Sequence, residues 1–263
     1  MINFKKHKLL LLLVCYAGLS FGQDNKYFDS KFFVNESDTL NYRILMPKHF
    51  DASKQYPVVL FLHGAGERGN DNVAQLTHGG ALFASKKSRR HFQSIVIFPQ
   101  CPKNDYWANV QIDRSSKPIK IDFPLNSEPT KPMALVLKLM EDMVAKPYVN
   151  KNKIYVAGLS MGGMGTFEIL HRKPELFAAA IAICGAGNPE TAKAYAKSTP
   201  LWVFHGAQDK VVDAQQSVKM VSGILKYGGN PNFILYAKDN HNSWDTAFAE
   251  PELLTWLFSN TKK

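Results

Sequence analysis

Six short runs of almost unbroken apolar residues, at 57–62, 94–98, 153–157, 178–184, 201–204 and 232–236, limit what this chain can fold into more than any other feature. A strand with one wet face alternates apolar and polar residues, whereas a continuous run needs cover on both faces. Helical patterns at 133–144, 162–171, 214–227 and 252–258 lie between the runs and supply that cover. The alternation predicts an α/β architecture, a mostly parallel central sheet with helices on both faces. Upstream, residues 31–34 and 39–45 read as an antiparallel hairpin. The stretch 103–132 holds Pro118, Pro124, Pro129 and Pro132 among many polar residues and predicts no regular element. It follows a strand's carboxyl end, where α/β proteins place ligands.

The amino terminus stands apart from this pattern. Lys5, Lys6 and Lys8 precede an apolar run over 9–19 that ends near Ser20 and Gly22, the form of a secretory signal peptide over 1–22. Gln23 is then the expected mature start, and 23–263 is expected to form one domain, periplasmic or secreted, with no membrane span after cleavage. Losing those three lysines lowers the formal net charge from +10 to +7. The densest basic patch, Lys86, Lys87, Arg89 and Arg90, has no interleaved aromatic residue and reads as a solvated helix face, so no nucleic-acid partner is expected. Export permits Cys101 and Cys184 to pair, although two buried free thiols is the simpler expectation. No cysteine or histidine spacing suggests a metal site.

The chemistry centres on Gly158-Leu159-Ser160-Met161-Gly162. A strand enters this segment and a helix leaves it, so the two glycines permit a sharp turn that lifts the Ser160 hydroxyl above the sheet. A serine hydroxyl is a weak nucleophile at neutral pH; it needs a histidine to take its proton and a carboxylate to orient that histidine. Asp209 lies just past the strand that ends Phe204-His205-Gly206. Its rival Asp213 opens a helix, where capping is the simpler role. His241 sits in a loop between the last strand and the C-terminal helix. His63 and His205 end strands, His171 lies in a helix, and His49, His78 and His91 stand outside any catalytic context. An oxyanion needs two fixed donors: the amide of Met161, and an amide from the glycine-rich loop 63–69, for which Ala65 is the best candidate.

Together these residues resemble a known group. Leu62 to Gly69, Phe98 to Pro102 with Trp107, Gly158 to Gly163, Ile183 to Gly185, His205 to Asp209 and His241 to Trp244 are similar to the α/β-hydrolase esterases of bacteria called predicted peptidases. These are related to feruloyl and acetylxylan esterases, polyhydroxybutyrate depolymerases and phospholipase/carboxylesterases. The resemblance implies an α/β-hydrolase fold, a triad of Ser160, Asp209 and His241, Ala65 and Met161 as oxyanion donors, and Trp107 along the substrate cleft. It implies a serine esterase acting without a cofactor on an ester-bearing small molecule or polysaccharide, with acetyl or feruloyl decorations expected first. Tyr106, Trp107 and Trp244 are aromatic surfaces suited to stacking on a sugar or phenolic group. Two other readings stay open at this stage: a serine peptidase of the same fold, and a catalytically silent carbohydrate-binding protein.

Overall fold

A computed structural model describes residues 25–113, 115, 120–125 and 127–262. The expected signal peptide, 1–22, lies outside the described residues. In chain order the elements are β1 (Phe28–Asn35), β2 (Asp38–Leu45), β3 (Tyr56–Leu62), α1 (Gly80–Ala84), α2 (Lys86–His91), β4 (Ile95–Pro99), β5 (Gln111–Asp113), β6 (Lys120–Asp122) and α3 (Lys131–Val144). There follow β7 (Val149–Leu159), α4 (Met161–Arg172), β8 (Ala179–Ile183), β9 (Leu201–Gly206), α5 (Gln215–Lys226), β10 (Asn232–Tyr236), α6 (Trp244–Ala249) and α7 (Leu253–Ser259). Eight strands form one sheet in the order β1-β2-β4-β3-β7-β8-β9-β10. Its β1–β2 hairpin is antiparallel, as is the β2–β4 pairing, and the remaining neighbours are parallel.

The unbroken apolar runs follow from two separate cores. On one face Val58, Leu60, Leu62, Ile97, Ile154, Val156 and Val203 pack under α3, α4 and α5 through Met133, Val136, Phe167, Leu170 and Met220. On the other, Val59, Phe61, Phe98, Tyr155, Ile181 and Phe204 meet Phe83 of α1, Ala247 of α6 and Leu253 and Leu257 of α7. Successive residues of one strand thus enter different cores, as a period of two requires. Among the described residues, no helix is long and apolar enough to cross a membrane.

Parallel pairing sets the strand ends level. Leu62 is opposite Gly158, Leu159 opposite Ile183, Ile183 opposite Phe204, and Gly206 opposite Tyr236. Every residue that follows one of these ends therefore emerges at the same edge of the sheet. The chain positions near 63, 160, 184, 207 and 240, far apart in sequence, become neighbours for that reason alone.

Two expectations about irregular structure need correction. The stretch 103–132 contains a short antiparallel hairpin, β5 with β6, and its last residues already belong to α3. The Thr130 hydroxyl accepts the Met133 amide at 3.3 Å and caps that helix, which places Pro132 in the first turn, where proline lacks only an N–H that would have no partner. The loop that carries His241 likewise does not run on to the C-terminal helix: a short helix, α6, opens at Trp244 and comes before it.

Candidate active site

The sharp turn after β7 is built by close approach. A Cβ on Gly158 would collide with the Gly162 carbonyl, and one on Gly162 with the Leu62 carbonyl of the neighbouring strand. Nothing larger than glycine fits either place. Between them Ser160 is held at φ 53° and ψ −118°, a conformation a side chain adopts only when its surroundings enforce it, at a cost of about 1–3 kcal/mol. Its amide donates to the Ile183 carbonyl at 2.9 Å, which fixes the turn against β8.

Ser160, His241 and Asp209 are brought into one line. Ser160 Oγ lies 2.9 Å from His241 Nε2, and His241 Nδ1 lies 2.7 Å from Asp209 Oδ2. A carboxylate only accepts, so Nδ1 carries the proton and Nε2 is left free to accept from the serine hydroxyl. The two loops bearing these groups are laced together: Gln208 N donates to Asp239 O at 2.9 Å, Lys210 N to Asn240 Oδ1 at 3.0 Å, and His241 N to the same oxygen at 2.8 Å. Asp213, the rival carboxylate, accepts from Gln215 N at 2.9 Å and starts α5.

The Asp209 side chain has no exposed surface. Burial by itself pushes its carboxyl up, but hydrogen bonds from His205 and His241 and from the Val211 and Val212 amides outweigh that and hold it well below the usual carboxylate range. The acid is therefore ionised at neutral pH. Cys184 follows β8 at φ 40°; its sulfur, a carboxylate oxygen of Asp209 and a ring nitrogen of His241 lie within 4.8 Å of one another. Among the described residues this is the group with the means to hold a metal. The histidine and the aspartate are engaged with each other, however, and burial pushes the Cys184 thiol up, away from the thiolate a metal needs. Cys101 is also free and buried, in the opposite core, so the two cysteines form no disulfide.

Ala65 opens a single 3-10 turn, Ala65–Glu67, and Met161 is the first residue of α4. The first amides of a helical turn have no intrahelical acceptor. The loop carrying Ala65 lies against the serine, since a Cβ on Gly64 would stand 3.7 Å from Ser160 Cβ. Trp244 is half-buried beside His241, with ring centroids 5.4 Å apart, and Tyr106 is half-buried under the Arg68 guanidinium at 4.7 Å. Trp107 differs from expectation. It is fully buried, wedged against Gly165, and its indole N–H donates to the His63 carbonyl at 3.1 Å. It buttresses the loop from behind and offers a substrate no surface.

Three histidines that the sequence assigned to plain roles belong to this region. His78 packs on Trp244 at 5.0 Å and stands 3.7 Å from Glu67. His63 donates from Nδ1 to the Gly64 carbonyl at 2.6 Å and accepts the Cys101 amide at Nε2, 3.0 Å away. His205 reaches Asp209. A signal for two of them was present: His63-Gly64 and His205-Gly206 repeat one pattern, an apolar strand ending in His-Gly.

Burial lowers the His63 pKa from 6.5 to about 4, against a smaller opposing pull from the Gly64 carbonyl. The unfolded chain takes up this proton first as pH falls, so the contribution is complete above pH 6.5 and is lost on the way down to about pH 4. The loss expected from this one group is about 3 kcal/mol. Urea unfolding across that range, run on the wild type and on His63→Gln, is expected to show a flatter pH dependence in the variant. Parallel curves would contradict the assignment.

The fold and this site define an α/β-hydrolase of the serine-hydrolase class. The sequence pattern of the phospholipase/carboxylesterase family matches residues 49–252. The chain belongs to that family. It is 25% identical to mouse lysophospholipase-like protein 1 over 186 residues, 68% of each chain. It is 30% identical over 97 residues to a bifunctional acetylxylan esterase/xylanase of Neocallimastix patriciarum, covering 37% of this chain and 14% of that protein. Among solved structures, a thermostable esterase superposes with a TM-score of 0.78 at 32% identity over 90% of this chain; the chain spans 64% of that esterase's length. A ferulic acid esterase shares the fold with a TM-score of 0.66 at 17% identity, covering 88% of this chain and 97% of that one.

Proposed function

We propose that this chain hydrolyses carboxylic esters outside the cytoplasm, and that its substrates are short acyl or feruloyl decorations on polysaccharides or oligosaccharides. The observation that carries the reading is the line from Ser160 Oγ through His241 to Asp209, at 2.9 Å and 2.7 Å. His241 Nε2 takes the hydroxyl proton as Oγ attacks the ester carbonyl. The carbonyl oxygen gains the negative charge, which the Ala65 and Met161 amides receive, each such donor contributing roughly 3 kcal/mol in the transition state. Collapse breaks the C–O bond, and the proton held on Nε2 passes to the leaving alcohol. Water then repeats the sequence on the acyl-serine and releases the acid.

The substrate class rests on three supports. The expected signal peptide puts the catalytic domain where polymeric carbohydrate is met. The relatives include an acetylxylan esterase/xylanase and a ferulic acid esterase. Trp244, partly exposed beside His241, and Tyr106, partly exposed beside Arg68 of the 63–69 loop, suit stacking on a pyranose or a phenolic ring. The test is a panel of acetylated xylo-oligosaccharides, feruloylated arabinoxylan fragments, long-chain acyl esters and peptide anilides, each with the wild type and Ser160→Ala. Turnover of the decorated sugars that depends on Ser160 and exceeds that of long-chain esters and anilides is expected. Preference for long-chain esters or anilides would overturn the substrate assignment.

A further inference from the structure

His205 is fully buried at the end of β9, one turn of chain before the acid. Its Nε2 faces two acceptors, Asp209 Oδ2 at 3.2 Å and the Val212 carbonyl at 2.9 Å, so Nε2 carries a proton and donates. Its Nδ1 lies 2.7 Å from the hydroxyl of Ser217, a buried residue of α5 that also stands 3.2 Å from the Gly185 carbonyl. The oxygen that His205 touches is the one that receives His241 Nδ1–H. The other oxygen of Asp209 accepts the Val211 and Val212 amides at 2.8 Å and 2.9 Å.

We propose that His205 is a positioning residue for catalysis: it fixes the Asp209 oxygen on which His241 turns, and through Ser217 it ties the triad to α5. The inference rests on the hydrolase reading above. The two amides restrain only one oxygen and leave the carboxylate free to swing about that edge. A second donor on Oδ2, beside that of His241, removes this freedom. Oδ2 then sits between two ring nitrogens, and the imidazole of His241 is held where its Nε2 meets the serine. A misplacement of about 1 Å at such a point costs on the order of a hundredfold in rate.

Two isosteric replacements separate this role from ordinary packing. In His205→Gln the side-chain amide occupies the place of Nε2 and keeps the donor to Asp209 while giving up Ser217. In His205→Asn the amide occupies the place of Nδ1, keeps Ser217, and leaves Asp209 without that donor. The expected result is a kcat lower by about 10- to 100-fold in the asparagine variant with KM little changed, and substantial recovery in the glutamine variant. Ser217→Ala, which removes the tie to α5 and leaves the Asp209 contact in place, is expected to lower kcat less than His205→Asn does; a larger loss than in His205→Asn would overturn the proposal.

The low-field proton resonance of the His241 Nδ1–H bond reads the same interaction without substrate; it should persist in the glutamine variant and broaden in the asparagine variant. Equal kcat and equal spectra for the two replacements, or a loss that follows thermal stability alone, would overturn the proposal. A wild type without Ser160-dependent turnover would instead overturn the hydrolase reading, and the proton spectrum would still decide the role of His205.

Discussion

Replacing Ser160 with alanine is expected to lower kcat for ester hydrolysis by about a million-fold while the protein stays folded. In the proposed reaction the hydroxyl oxygen forms the covalent bond, and nothing beside it substitutes. The thiol of this region, Cys184, is fully buried and is pushed up by that burial, so no thiolate is at hand. The fold should tolerate the change because alanine keeps the Cβ that the φ 53° turn already accommodates and loses only the bond to His241. A small residual rate is expected from the oxyanion amides alone. Activity within tenfold of wild type, measured with a p-nitrophenyl ester alongside an unchanged melting curve, would contradict the role given to Ser160.

Asp209→Asn is expected to cost about 10⁴ in kcat with little change in KM. Asparagine matches the carboxylate in shape, but one of its two positions is an NH₂ donor. If that donor faces His241 Nδ1, the ring must carry its proton on Nε2, where it can no longer accept from Ser160. The opposite orientation is opposed by the chain itself: it would set the NH₂ against the Val211 and Val212 amides, which both require an acceptor there. The change should also lower stability at neutral pH. The wild-type carboxyl is held below its ordinary range by these bonds, and a depressed acid contributes stability that is present above the unfolded-state pKa and lost only as pH falls through the folded value. Comparing kcat and urea midpoints at pH 7 checks both effects. An asparagine variant with a near-normal kcat would show that the acid is not part of the reaction.

Much of this arrangement was legible in the sequence because it depends on short local rules. A strand followed by Gly-x-Ser-x-Gly and a helix gives the sharp turn at Ser160, and the close approaches at Gly158 and Gly162 give the reason. Placing Asp209 and His241 after later strands required only that parallel strand ends lie level, which the register of β3, β7, β8 and β9 does. The continuous apolar runs announced two covered faces, and the two cores are there.

What escaped the sequence depends on contacts between distant segments. A buried tryptophan and a cleft-lining one look alike in a string of letters; Trp107 goes inward because its indole N–H finds the His63 carbonyl and its Cβ meets Gly165. His205 reads as a strand-ending residue until Ser217, twelve positions on, is folded back against it. The β5–β6 hairpin has three-residue strands, too short to carry a readable period. Its Ile121, and Phe123 just beyond it, nevertheless pack with Met164, Ala186 and Val212, three residues that each follow a strand end of the site.

The central claim, that Ser160 is the activated nucleophile of this arrangement, is tested most directly by treating the folded protein with a fluorophosphonate and locating the adduct by peptide mass spectrometry. A single adduct on Ser160 is predicted, formed far more slowly in Asp209→Asn and His241→Ala. No adduct under conditions that label a known serine esterase, or an adduct on another residue, would contradict it.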